Sequence, residues 1–345
     1  MDSHLANALL DELYTAFGQH SGRRVSHAKE LMVFGSFRPT NAAGQLSTAW
    51  HLSSPDASVL VRFSNFSGIP TTPDTAPEAS PRGIAVRFHQ PGQPSTDVVA
   101  HTYDGFPAAT PEEFLEFLEF LQATNASTTG QRTDALTDYL NRHPAARAFV
   151  ETPPDPDTPY LHQRYYGVNT FVLIDQDDVG TPGRYRVQPV GTSADKSTDQ
   201  PGLHSEQPQH NEDSDPDVRR HELEASLARG PSYLDLVFQL AAPDDDLLHG
   251  STSWPHTGPD RRPEVVLGTL RLEAVVDDSL ELNLAFDPTR VPAGIRASPD
   301  PMLATRAAVY ARSYRRRHAA TADPEVSSPA QPNPSTSPKS LGEKS

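Results

Sequence analysis

The 345-residue chain contains no cysteine. Disulfides, thiolate metal sites, iron–sulfur clusters and cysteine nucleophiles are therefore excluded. No apolar run approaches the roughly 20 residues needed to span a bilayer. The N-terminal stretch MDSHLANALLDELYTAFG lacks the basic-then-apolar order of a signal peptide. A cytoplasmic protein with no membrane span is expected. Positive charge is also short: 29 Lys and Arg stand against 45 Asp and Glu, a formal net charge of -16. Nucleic acid is not an expected partner, because a phosphate backbone demands a basic footprint.

The length allows one large domain or two ordinary ones, with enough chain for a sizeable core. In LANALLDELYTAFGQ, residues Leu5, Leu9, Leu10, Leu13 and Phe17 form one helical stripe. TPEEFLEFLEFLQAT reads as a second helix, with Thr110 as cap, Pro111 at its first position and Glu113 completing a capping box. DVRRHELEASLARG is a short helix closed by Gly230. A final helix runs from about Pro301 to His318.

SVLVRFSNF, RGIAVRFHQPG, GVNTFVLID, GRYRVQPV, SYLDLVFQLA, EVVLGTLRLEAVV and LELNLAF read as strands. Residues 193–217 read as a flexible insertion, and 321–345 as a disordered Pro/Ser-rich tail after a domain covering 1–320. Many short strands with scattered helices suggest an antiparallel barrel with helices outside it, an α+β fold.

The most basic stretch is RAAVYARSYRRRHAA, Arg306 to Ala320. Arg306 and Tyr310 are four apart and share a helix face. A fixed guanidinium favours the ionised form of a phenol whose reference pKa is about 10. The spacing alone is better explained by an amphipathic helix with Tyr310 in the core and Arg306 exposed.

The residues before this helix distinguish the two. FDPTRVPAGIRASPDPMLATRAAVY, Phe286 to Tyr310, resembles the segment of heme catalases that leads into the helix carrying the heme ligand. The resemblance implies that Tyr310 is the axial ligand of a heme b iron, that Arg306 stabilises its phenolate, and that Arg317 binds a heme propionate. Arg315 and Arg316 read as a solvated helix end. RRVSHAKE is similar to the distal stretch of the family. By that likeness His27 is the distal base that moves a proton between the peroxide oxygens, and Arg24 meets a propionate. Ser26 stands where catalases carry valine. Allene oxide synthase domains also place a hydroxyl residue there, and this one could bond the distal imidazole or a hydroperoxide. Glu30 replaces a glycine, with no evident consequence.

In VRFSNFSGIPTTPDTAPEASPRGIAVRFHQPG, the same likeness makes Arg62 a third propionate arginine and Ser64 the acceptor that sets the His27 tautomer. The family's Gly-Asn-Asn is replaced by Ala100, His101 and Thr102, so the catalytic carboxamide is missing. Thr102 could supply a hydroxyl; His101 is a second polar group or a strand residue. TYDGFPAATPEEFLEFL resembles the small catalase-related peroxidases. Phe106 and Phe114 are candidates to flank the porphyrin, or core residues.

Together these likenesses imply a minimal heme-catalase barrel lacking the C-terminal helical domain. They imply a heme peroxidase (EC 1.11.1.-) that uses peroxide and a small organic reductant, with weak or no catalase activity, as a monomer or homodimer. A hydroperoxide isomerase or lyase and a non-catalytic heme carrier are the alternatives.

Overall fold

The structure is a computed structural model that describes residues 3–55, 57–125, 129–191, 215–276 and 284–322. Two expectations fall largely outside these residues: most of the 193–217 insertion and nearly all of the 321–345 tail.

Eight strands close into an antiparallel barrel: β1 (Glu30–Pro39), β2 (Ala57–Ser64), β3 (Gly83–His89), β4 (Thr96–His101), β5 (Tyr165–Ile174), β6 (Gly180–Pro189), β7 (Ser232–Leu240) and β8 (Glu264–Val275). Each strand pairs with its neighbours in sequence, and β1 pairs with β8 to complete the ring. The β4–β5 seam is narrow, a bridge of His101 to Tyr166. A short β9 (Ile295–Ala297) adds to the free side of β5.

Alternation sorts the two faces of each strand. Val61 of β2 sits opposite Val86 of β3, which sits opposite Val98 of β4. That row is buried in the main core with Leu234, Leu236, Leu270 and Leu272. The intervening rows face the other way. They are Arg62–Ala85–Val99 and Ser64–Gly83–His101.

The helices lie outside the barrel. Helix α1 (Ser3–Phe17) buries Ala6, Leu9 and Leu10. Its stripe packs with Phe114, Leu115 and Leu118 of α4 (Pro111–Asn125) and with Val309 of the last helix. Thr110 caps α4 as expected: its hydroxyl accepts from the Glu113 N–H (3.2 Å), and the Glu113 carboxylate accepts from the Ala109 N–H (2.9 Å). Short helices α2 (Asn41–Leu46) and α3 (Trp50–Ser53) follow β1, and α5 (Thr129–Arg142) and α6 (Pro144–Glu151) follow α4. Helix α7 (Val218–Arg229) packs on β8. The final helix, α8, runs Pro301–Ala322, a turn beyond the expected end.

The expected strand LELNLAF is not borne out where it is described. Residues 284–286 are not strand. Arginine side chains occupy their carbonyls instead: Arg24 donates to the Leu284 oxygen (2.9 Å), and Arg290 to that of Ala285 (3.1 Å).

Candidate active site

A cavity lies against the outward rows of β2, β3 and β4. Its walls come from the loop before β1, from Leu13 of α1, from Phe286, and from one face of α8. On α8 the lining residues are Arg306, Val309, Tyr310, Ser313 and Arg317, spaced at the repeat that keeps a helix face in register.

The α8 side carries a relay. Arg306 Nη2 donates to the Tyr310 hydroxyl oxygen (3.1 Å), while Arg306 Nη1 donates to Asn169 Oδ1 (2.5 Å). Asn169 in turn donates to Asp300 Oδ2 (2.6 Å), whose other oxygen accepts from the Met302 N–H (2.7 Å) at the start of α8. Asn169 reaches this position because the β5–β6 register shifts between Tyr166 and Thr170. Burial alone would raise the Tyr310 phenol. The charge and hydrogen bond of Arg306, helped by Arg62 and Arg24, hold it below the ordinary tyrosine value.

His27, also in the lining, adopts a left-handed backbone (φ 55°), uncommon for a side-chain-bearing residue. Its N–H donates to the Phe66 carbonyl (2.9 Å), and its carbonyl accepts from Arg62 (2.7 Å). Its Nδ1 lies 3.1 Å from Ser64 Oγ. With Nδ1–H donating to that serine, Nε2 keeps its lone pair. Burial, then the charge of Arg62, lowers the imidazole to about 3, so it is neutral at ordinary pH. The ring stands over Gly83, where a Cβ would fall 2.8 Å from Ser64 Oγ and 2.9 Å from His27 Nδ1. Only glycine leaves room for the imidazole.

Arg24, Arg62 and Arg317 line the cavity together. The buried Glu30 carboxylate accepts from both Arg24 Nε (2.8 Å) and Arg62 Nε. Burial opposes its ionisation, but the two guanidiniums hold it at about 2. The residue that replaced glycine is therefore the counter-ion of the arginine cluster. Three arginines less one glutamate leave a cluster of charge +2 beside a phenol–guanidinium pair. That donor set fits a ligand with two carboxylates and a metal that takes a phenolate oxygen.

Of the residues expected at the site, Arg24, Ser26, His27, Arg62, Ser64, Arg306, Tyr310 and Arg317 line the cavity. Three others do not. Thr102 follows the strand parity of Ala100, and its hydroxyl accepts from the Arg82 N–H (3.0 Å). His101, on the Ser64–Gly83 row, lines the cavity with Val99 and Ala100. Phe106 and Phe114 pack on each other (centroids 4.8 Å) away from the lining, and Phe114 belongs to the α1–α4 cluster. The basic end of α8 is also not simply solvated. Arg316 pairs with Asp11 of α1 (2.6 Å), and Arg312 donates to Asn7 (2.7 Å). Arg315 is exposed.

Sequence reasoning missed Asn169, Asp300 and the role of Glu30. Asn169 meets Arg306 and Asp300 across more than 130 residues, and Glu30 meets Arg62 on the next strand, so no local spacing marks these pairings.

Comparison with known proteins supplies the relatives. The family model described as Catalase matches residues 4–330. A catalase-related peroxidase of Mycolicibacterium paratuberculosis is 32% identical over 89% of this chain and 93% of its own length. A catalase-related peroxidase of Synechococcus elongatus is 26% identical, covering 90% and 87%. Catalase isozyme 2 of Solanum lycopersicum is 28% identical over 90% of this chain, but 63% of its own length.

Proposed function

Because the chain belongs to the catalase family, we propose that it is a peroxidase that reduces hydrogen peroxide or organic hydroperoxides with a small organic electron donor. Heme b is the proposed cofactor, and the two-electron reduction of peroxide is the chemistry it supplies when bound. The observation that carries this reading is one cavity lined by Tyr310 with Arg306, by the neutral His27, and by three arginines.

Tyr310, held as phenolate by Arg306, would bind the heme iron. Arg24, Arg62 and Arg317 would hold the two carboxylates, with Glu30 fixing the first two guanidiniums. His27 Nε2 takes the proton of the hydroperoxide and returns it to the departing oxygen, work typically worth about 10²–10⁴-fold. Leu13, Val25, Phe286 and Val309 keep the cavity partly apolar.

The missing carboxamide supports weak or absent dismutation, because a second peroxide lacks its usual amide partner. Among the described residues no helix is long and apolar enough to cross a membrane. A cytoplasmic monomer or homodimer, with one domain through residue 320, belongs to the same proposal.

The test is an absorption spectrum of heme-reconstituted protein beside Tyr310→Phe. A ferric high-spin spectrum of tyrosinate type, altered in the variant, is expected. Absence of heme uptake, or an identical spectrum in the variant, overturns the reading. Dismutation of hydrogen peroxide at the rates of large catalases overturns the peroxidase assignment alone.

The Ser26 hydroxyl in the cavity lining favours one second reading, a hydroperoxide isomerase or lyase. In that case Ser26→Val shifts products from lipid hydroperoxides toward those of dismutation. A heme carrier, by contrast, keeps its function without His27, which a peroxidase cannot.

A further inference from the structure

The cavity holds a second imidazole that the mechanism above does not use. His101 ends β4 at the barrel seam, between Gly83 of β3 and Tyr166 of β5. It shares the outward row with Ser64, the residue that holds His27 Nδ1. Its own Nδ1 is buried and has no hydrogen-bond partner in the protein. A buried polar nitrogen left without a partner is costly, so a partner from a ligand would repay its position.

The groups facing His101 come from three places. Arg306 lies on α8, His27 on the loop before β1, and Tyr103 and Asp104 on its own loop. Burial, then the charge of Arg306, lowers His101 to about 4, against smaller upward pulls from the Tyr103 backbone and then Asp104. Both cavity imidazoles are thus neutral at ordinary pH. An arch of rings connects them. Phe66 meets His27 edge-on (5.6 Å, 85°), and Tyr103 stacks on His101 (6.4 Å, 12°). Phe149 of α6 touches both Phe66 (6.3 Å) and Tyr103 (5.2 Å). The arch fixes the pair on one side of the cavity.

We propose that His101 is a second distal catalytic residue, hydrogen-bonding the outer oxygen of a hydroperoxide while His27 takes the proton from the inner one. This rests on the peroxidase reading. The O–O bond breaks with both its electrons on the outer oxygen. That oxygen receives the proton held by His27 and leaves as water or an alcohol. The organic donor supplies the two electrons and two protons that complete reduction of the hydroperoxide to water and water or an alcohol. His101 stabilises the charge that grows on the leaving oxygen, and its own proton count is unchanged at the end.

The experiment compares wild type, His101→Phe and His101→Asn as heme-loaded proteins. Two quantities are read: kcat/KM for peroxide against pH, and the affinity of the ferric protein for hydrogen cyanide, whose binding also hands a proton to the distal side without turnover. His101→Phe is expected to lower both about tenfold, the worth of one hydrogen bond. His101→Asn, which keeps a hydrogen-bonding side chain, recovers part of the peroxide rate but loses the acid limb near pH 4. Wild-type values and wild-type pH profiles in both variants overturn the proposal.

Histidine NMR of the heme-free wild type guards against variants that fail to fold. A cavity imidazole assigned to His101 that titrates in the ordinary histidine range also overturns it. If wild type takes up no heme, or ignores Tyr310→Phe, the peroxidase reading has failed. If wild type turns over and both His101 variants match it, this inference has failed alone.

Discussion

Glu30 and Gly83 shape the site without lining chemistry of their own. Glu30→Gln leaves the buried Arg62 and the half-buried Arg24 without their shared counter-charge. Breaking a buried pair from one side typically costs about 3–5 kcal/mol, so the heme-free protein should melt well below wild type. A wild-type melting temperature would show that the pair is neutralised elsewhere. Gly83→Ala acts through space: the new methyl would meet Ser64 Oγ and His27 Nδ1 inside 3 Å. Heme binding should survive, because Tyr310 and the arginines are untouched, while kcat/KM for peroxide falls on the order of 10²-fold as the base is displaced. At this scale the sequence was legible only where a motif carried the residue. His27, Arg62, Arg306 and Tyr310 were found through resemblance. Glu30 was passed over because its meaning lies in two partners that the fold brings to it. Thr102, which an ungapped alignment sets against the family's asparagine, spends its hydroxyl on the Arg82 N–H, a contact that only the fold shows.

Helix α8 is held in place by more than its own apolar face. Asp300 accepts from its first turn and from Asn169, and Asn169 restrains Arg306. Asn169→Ala removes that restraint without touching the cavity. The Tyr310 phenol should then titrate at higher pH, read as the phenolate absorbance of the heme-free protein, and the heme-loaded spectrum should shift in the direction of a weaker phenolate donor. An unchanged titration would mean that α8 alone orients Arg306. Elements with a clear apolar period were legible, namely α1, α4 and α8, as were six of the barrel strands. Helix α5 was not, because its sequence TGQRTDALTDYLNR offers Leu136, Tyr139 and Leu140 against a mostly polar background. Helix α6 has eight residues, too few for a period to stand out. The segment at 284–286 looked like a strand from its apolar residues, yet arginines bind its carbonyls in place of a neighbouring strand.

Across the whole molecule, four buried groups make stability depend on acidity in one direction. His27 and His51 are lowered to about 3 and His101 to about 4, each chiefly by burial, from an unfolded value near 6.5. Below that value the unfolded chain binds protons that the folded chain refuses, so stability is complete above pH 6.5 and falls toward about pH 3. Glu30, held at about 2 against an unfolded value of 4.5, adds a second loss below pH 4.5. At about 1.4 kcal/mol per unit, even one such histidine is large beside a total stability of about 5–15 kcal/mol. Equilibrium denaturation should show steep destabilisation between pH 6 and pH 4, and His51→Phe should flatten it; a flat profile in wild type would overturn the burial argument.

The order in which strands follow one another also governs assembly. Each barrel strand finds its partner next in line, so seven of the eight pairings, counted from β1–β2 round to β7–β8, can form as the chain emerges. The eighth, β1 with β8, joins segments over 200 residues apart, and Tyr310 comes later still. The arginines and His27 of the first quarter therefore wait for a helix made last. Until Tyr310 has emerged the nascent chain has no complete cradle, so capture of the cofactor follows barrel formation rather than nucleating it.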